Sequence, residues 1–206
     1  MKKNKIEKIF DFLEISERLK KTKRWENTPS MAFKETSADH SWHLAILLIV
    51  ITSEFDYKID VLRALKMALA HDLVEAIAGD TDASLIHFGK KTQEAKSEEE
   101  LAAMKEIRTS LPKKSGQEIN HLWTEYEEGK TREAKFVKAL DKIEGINHML
   151  FETHQSFDTP ELIAPYPNES VKKFSPLKPI LKELHKRLKP EYKKKKWKWK
   201  EEYDLD

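Results

Sequence analysis

The sequence predicts an all-α protein. Three observations carry that prediction. Apolar residues recur with helical period along nearly the whole chain, no segment alternates with strand period over any length, and five glycines in 206 residues are too few for a fold rich in tight turns. The length fits one domain, and no internal repeat is visible. Hydrophobic residues make up 39%, enough for a sizeable core, and charged residues make up 36%, so the helices carry heavily charged outer faces.

The elements follow in order. Ile6, Ile9, Phe10, Leu13 and Leu19 mark a first helix. Residues 21–36 form a polar connection that contains Arg24-Trp25 and Pro29. Thr36 or Ser37 caps a second helix, which runs to about Phe55 and is apolar nearly all round. Asp60 caps a third, from Val61 to Ala78, with Gly79 just past its end. Residues 79–93 read as irregular. Ser97 with Glu100 forms a capping box for a fourth helix, which stops near Pro112. A fifth covers roughly Gly116 to Glu127, and Gly129 separates it from a long sixth, Thr131 to about Thr153. Pro160, Pro165 and Pro167 make residues 158–168 a loop. A last helix runs from about Val171 to Leu188, interrupted near Pro176 and Pro179.

Residues 1–190 are expected to form the body and residues 191–206 a charged Lys/Trp extension. The extension interleaves Lys193 to Lys196, Lys198 and Lys200 with Trp197 and Trp199, a mixture that single-strand nucleic-acid binders also use. Glu201, Glu202, Asp204 and Asp206 follow at once and cancel much of the charge. A solvated helix extension is expected, its tryptophans packed on the body or on a second subunit. The net charge of the whole chain is only +2, so nucleic acid is not an expected partner. The N-terminus has no signal-peptide core, and the longest apolar run, Leu44 to Ile51, is far too short to span a bilayer. The expectation is a soluble cytoplasmic protein without a membrane partner.

The absence of cysteine removes disulfides, thiol nucleophiles and thiolate metal sites. Any metal centre must use His and carboxylate, a donor set that suits Mn, Co, Fe, Mg or Zn. Four residues are candidates: His40 in the first turn of the second helix, His71 and Asp72 deep in the third, and Asp141 in the sixth. An imidazole beside a carboxylate on an apolar stretch is costly to bury unless something compensates it, and a divalent ion would compensate both. Neighbours on a helix point about 100° apart, so His71 and Asp72 reach one ion only if it lies against that helix. An isolated His-Asp pair is common by chance. Here the context is four candidates on three core-facing helices, in the order His, His-Asp, Asp.

That order resembles the HD-domain superfamily of metal-dependent phosphohydrolases. Arg24-Trp25, the segments Glu35 to Ser41, Ala70 to Asp80 and Glu133 to Lys142, and Leu122 to Glu128 are similar to its 5′-deoxynucleotidase branch, which includes the bacterial YfbR type and the eukaryotic HD-domain-containing protein 2 type. The resemblance spans about residues 6–155. It implies a compact helical bundle of about seven or more helices, with His40, His71, Asp72 and Asp141 holding one divalent metal. It also implies hydrolysis of deoxyribonucleoside 5′-monophosphates, with Glu75 as general acid/base. Glu75 lies one turn after His71 and so on the same face. Asp80 is expected to contact the sugar or assist proton transfer, or else to cap the next segment. Arg24 would partner the phosphate. Trp25 would pack on the sugar and exclude a 2′-hydroxyl by shape; standing alone, an Arg-Trp pair would simply anchor the loop. A homodimer is expected.

Other features read as structural. Asp39 caps its helix near His40, His43 has no assigned role, and His148 and His154 face core or solvent. Lys135 and Lys138 are placed on the outer face of their helix. Two rival functions remain: an HD phosphohydrolase for a nucleoside triphosphate, cyclic nucleotide or alarmone, and a catalytically silent helical protein that binds RNA or a partner through its tail.

Overall fold

The computed structural model describes residues 3–28 and 30–205; Met1, Lys2, Asp206 and the Pro29 of the sequence reading lie outside the described residues. Helices dominate. Among the described residues the one β-type pairing is an isolated bridge between Lys23 and Thr36.

Helix α1 spans Lys5–Glu17 behind an Asn4 capping box closed by Glu7. Its Ile6, Ile9, Phe10 and Leu13 stripe faces outward, while Ile15 and Leu19 enter the core. Helix α2, Ser37–Glu54, is capped by Thr36 in a box with Asp39, the capping role expected of that aspartate. Helix α3, Val61–Ala70, starts at the Asp60 cap but stops eight residues short of the Ala78 expected from the sequence. From His71 the backbone tightens to i→i−3 bonds, Leu73 to Ala70 and Glu75 to Asp72, before α4, Glu75–Ala78. The break has a packing reason. Ala64, Met67 and Ala68 of α3 belong to one core cluster, whereas Val74 and Ala76 belong to another. The break lets the two halves of this run turn toward different clusters. Gly79 follows at φ +77°, a conformation that favours glycine.

The region expected to be irregular contains a short helix, α5, Ala83–His87, capped by Asp82. Helix α6, Gln93–Ser110, begins a turn earlier than the Ser97 box because the Thr92 hydroxyl accepts from the Ala95 amide. Ser97 is therefore inside the helix, and Glu100 pairs with Lys96 at 3.0 Å instead of closing a box. Helix α7, Lys113–Glu128, starts directly after Pro112, so Gly116, where the sequence reading began the helix, lies three residues inside it. A Cβ on Gly116 would stand 2.4 Å from the Arg108 carbonyl oxygen, so only glycine lets α7 fold back on α6 there. Helix α8, Arg132–Phe151, has Thr131 as its cap.

The proline-rich loop is also more ordered than its sequence suggests. It holds α9, Pro160–Ile163, where Pro160 occupies the first turn and needs no amide partner. The last helix is split into α10, Asn168–Lys173, a 3₁₀ turn, Ser175–Leu177, and α11, Lys178–Lys194. Pro176 and Pro179 open their segments rather than interrupt a helix. Beyond α11 the chain turns back: Trp197 and Trp199 pack against Tyr192, and Tyr203 is buried in the main cluster. The tryptophans thus lie on the body of the same chain.

Helices α2, α3 and α8 pack on one another at the centre. Leu44, Leu48, Met67, Phe136 and Leu140 are fully buried there, each contributing about 1.5–3 kcal/mol by leaving water. Such packing holds polar side chains on those helices to fixed positions. No described helix is long and apolar enough to cross a membrane.

Candidate active site

The four ligand candidates meet where α2, α8 and the break after α3 converge. His40, His71 and Asp72 bring one donor atom each within 4.8 Å of one another. His40 Nε2 lies 3.0 Å from Asp141 Oδ1 and 3.8 Å from Asp72 Oδ2. All four residues are buried, and His40 is wholly inaccessible. His71 and Asp72 stand at the end of α3, not deep within a helix. The tightened backbone, rather than a regular helix face, points them at one place.

Hydrogen bonds fix which nitrogen each imidazole presents. His71 Nδ1 donates to the Ala68 carbonyl at 2.8 Å, so its proton is used there and Nε2 carries a lone pair. That Nε2 is buried without a hydrogen-bond partner and lies 3.1 Å from Asp72 Oδ1. A lone pair facing a carboxylate oxygen in a buried site is unfavourable by itself and becomes favourable around a cation. His40 Nδ1 donates to the fully buried Glu144, which also accepts from His43 Nδ1 at 2.6 Å. His40 Nε2 is thereby turned to the same place. The residues present therefore fit a divalent ion held by nitrogen and oxygen.

The remaining carboxylates are anchored in turn. Asp141 Oδ2 accepts from the Tyr126 hydroxyl at 2.5 Å and lies 3.0 Å from Lys142 Nζ. Against the cost of burial, the Lys142 charge and the His40 hydrogen bond hold Asp141 well below the usual carboxylate range. Asp72 Oδ2 accepts from Arg24 Nη1 at 3.1 Å.

Arg24 arrives from the connection before α2. That connection is closed at its base by the Arg24 amide on the Glu35 carbonyl and the Ser37 amide on the Thr22 carbonyl, both 2.9 Å. Trp25 sits in the left-handed region at φ 61°, a conformation that costs a bulky residue about 1–3 kcal/mol. Its indole N–H donates to Glu35 Oε1 at 3.3 Å, and its ring packs on the core. The anchoring reading of Trp25 is thus real, yet the same ring also lines the cavity.

That cavity, of about 470 Å³, is lined by Arg24, Trp25, His71, Asp72, Glu75, Asp80 and Asp141, among others. Glu75 is buried and accepts from the Ser37 hydroxyl at 2.5 Å. Burial, reinforced by the Asp72 and Asp80 charges, pushes its carboxyl well above the usual range. Burial likewise raises Asp80. Capping of the next helix falls to Asp82, whose Oδ1 accepts from the Ser84 amide at 2.9 Å. Asp80 is not that cap.

Sequence reasoning passed over several residues here. Glu35, Glu144 and Tyr126 hold the candidate ligands or Arg24-Trp25 in place. Lys138, placed on an outer face, in fact lines the cavity with Lys96 and Lys142, whereas Lys135 does not. The signal was available for two of them: Lys138 and Glu144 each stand three residues from Asp141, one helical turn away on its face. His148 approaches Glu35 at 3.6 Å, and His154 bonds Glu191 at 3.0 Å.

This helical scaffold, with histidine and aspartate donors gathered on central helices, is that of the HD domain family, to which the chain belongs: the family model for the HD domain matches residues 16–165. The chain is 36% identical over 143 residues to the 5′-deoxynucleotidase HDDC2 of Dictyostelium discoideum, covering 66% of this chain and 73% of that protein. It is 38% identical over 112 residues to the 5′-deoxynucleotidase HDDC2 of Homo sapiens, covering 54% of this chain and 52% of that one. Its fold is similar to a crystal structure described as a predicted metal-dependent phosphohydrolase from Magnetospirillum magnetotacticum, with TM-score 0.67, 25% identity and coverage of 89% and 94% of the two chains.

Proposed function

We infer that the protein is a metal-dependent phosphomonoesterase that hydrolyses deoxyribonucleoside 5′-monophosphates to deoxyribonucleoside and phosphate. The observation that carries this reading is the buried, unpartnered Nε2 of His71, set beside Asp72, His40 and Asp141 on a cavity that also presents Arg24, Trp25 and Glu75. The names of the curated relatives support the substrate class.

In this reading His40, His71, Asp72 and Asp141 would hold one divalent ion, either Mn, Co, Mg, Zn or Fe. When bound, the ion supplies Lewis-acid polarisation of the phosphate and a water of lowered pKa. The chain's own side chains do the rest. Arg24 neutralises phosphate charge through its guanidinium fork. Glu75, whose carboxyl is pushed well upward by burial beside two carboxylates, delivers its proton to the departing 5′-oxygen. Asp80 contacts the sugar or relays that proton. A small annex lined by Trp25, Leu162, Ile163 and Tyr166 offers apolar surface to the nucleoside.

A phosphate-release screen tests the reading. Metal-stripped protein is reloaded with Mn, Co, Mg or Zn and offered mono-, di-, tri- and cyclic nucleotides. Turnover of deoxyribonucleoside monophosphates above the rest supports it; preference for a triphosphate, cyclic nucleotide or alarmone reassigns the specificity.

Selection against ribose is assigned to Trp25. A 2′-hydroxyl pressed on its ring is desolvated and unpaired, at about 1–3 kcal/mol, or a roughly 5- to 150-fold preference for deoxy substrates. Trp25→Ala should shrink that preference, chiefly by improving ribonucleotide turnover. Arg24→Ala should weaken both substrates together. The measurement is kcat/KM for dAMP and AMP; an unchanged ratio in Trp25→Ala returns the residue to its anchoring role alone.

A homodimer belongs to the same reading. Trp42, Ile46, Ile49 and Val50 form an exposed apolar stripe along α2, and a second copy of the chain would cover it. Sedimentation against the 24.2 kDa chain mass reads this directly.

A further inference from the structure

We propose that Lys96, Lys138 and Lys142 form an anion subsite on the Asp141 side of the cavity, which takes non-bridging oxygens of a phosphate dianion. The proposal deepens the phosphomonoesterase reading and rests on it.

All three lysines line the same cavity as the ligand candidates. One comes from α6 and two from α8, where Lys138 and Lys142 are one turn apart. Two of them are already paired: Lys142 Nζ stands 3.0 Å from Asp141 and Lys96 Nζ 3.0 Å from Glu100. Lys138 is the one with donors to spare. Its nearest carboxylate, Glu127, is 3.8 Å away, and its ammonium lies 4.1 Å from the centroid of the Tyr126 ring. Tyr126 in turn bonds Asp141, so this ammonium is held close to the candidate metal ligands.

Glu100 and Asp141 offset two of the three ammoniums on this partly buried wall, and Lys138, with only the more distant Glu127, is the least compensated. Against burial, Glu100 and Asp141 hold Lys96 and Lys142 above the ordinary lysine range, whereas at Lys138 burial, with Lys142 and Lys96 adding to it against Glu127, lowers the ammonium below it. Arg24 supplies cationic donors on the Asp72 side. A phosphate between the two sides would meet donors on more than one oxygen. That suits phosphoryl transfer, in which charge spreads over three equatorial oxygens.

A purely structural role would be to hold α6 against α8 and to brace Tyr126. The two roles separate on inorganic phosphate. The metal-loaded protein is titrated with phosphate by calorimetry, and phosphate is then used as a competitive inhibitor of turnover. Metal content is measured on every variant. Lys138→Met keeps the stem and removes the charge; it should weaken phosphate binding about 10- to 100-fold and raise KM in parallel, with kcat changing far less. Lys138→Arg should restore most of the affinity. Lys105→Met, on the exposed face of α6, should match the parent. Parent-like phosphate affinity in Lys138→Met at full metal content overturns the subsite. If Lys138→Met does not fold, Lys96→Met carries the test with the same two outcomes. The titration needs no turnover. A parent that binds phosphate through these lysines yet hydrolyses no deoxynucleotide would sink the activity and leave the subsite standing.

Discussion

Asp72→Ala is expected to emerge without bound metal and with kcat/KM lowered by more than about 100-fold, since removal of even an outer-shell partner of a metal site costs roughly 10- to 100-fold. The expectation follows from how much converges on this carboxylate. One oxygen lies 3.1 Å from His71 Nε2, and the other accepts from Arg24 at 3.1 Å and lies 3.8 Å from His40 Nε2. Removing it leaves two imidazoles and a guanidinium facing one another with Asp141 as the remaining counter-charge among the candidate ligands. The helices should persist, because the apolar packing of α2, α3 and α8 does not involve Asp72. The check is metal content by atomic emission beside circular dichroism. Full metal content in a folded Asp72→Ala protein removes Asp72 from the ligand set.

Glu75→Gln should separate chemistry from binding. The substitution keeps the size of the side chain and a hydrogen-bonding partner for Ser37, but leaves no carboxyl proton to give. Metal content and KM should stay near the parent while kcat falls by about 10²-fold or more. The pH profile carries the second half of the prediction. Burial and the Asp72 and Asp80 charges raise the Glu75 pKa, so the carboxyl keeps its proton into a range where an ordinary glutamate is ionised. An acid of this kind is active below its raised pKa and lost above it. The parent should therefore show an alkaline fall in kcat that is absent from the residual activity of Glu75→Gln. A kcat within a few-fold of the parent would make Glu75 structural.

Much of the scaffold was legible because helix signals are local. The Thr36, Asp60 and Thr131 starts are where short polar side chains satisfy free amides, and Gly129 ends α7 where a left-handed residue is needed. The failures are those where tertiary packing overrides a local pattern. The run from Val61 to Ala78 has unbroken helical period, and nothing within it announces that its two halves serve different core clusters. The residues around the candidate site divide the same way. His71 and Asp72 stood out as a polar pair within an apolar run, and His40 and Asp141 through the order His, His-Asp, Asp on core-facing helices. Glu144 and Lys138 lie in the same helix among many charged residues, and their three-residue spacing from Asp141 was the one sequence signal that sets them apart.

The inaccessibility of His40 bears on the order of events in a catalytic cycle. On the proposed ligand assignment it stands behind the cavity, whose lining includes His71, Asp72 and Asp141 but not His40. Metal and nucleotide then share one doorway. An ion held there would be covered by a nucleotide or phosphate in the cavity, so its exchange would be timed by departure of the product. Stripping by a chelator should slow when inorganic phosphate is present; an unchanged rate would mean a second route to the ion.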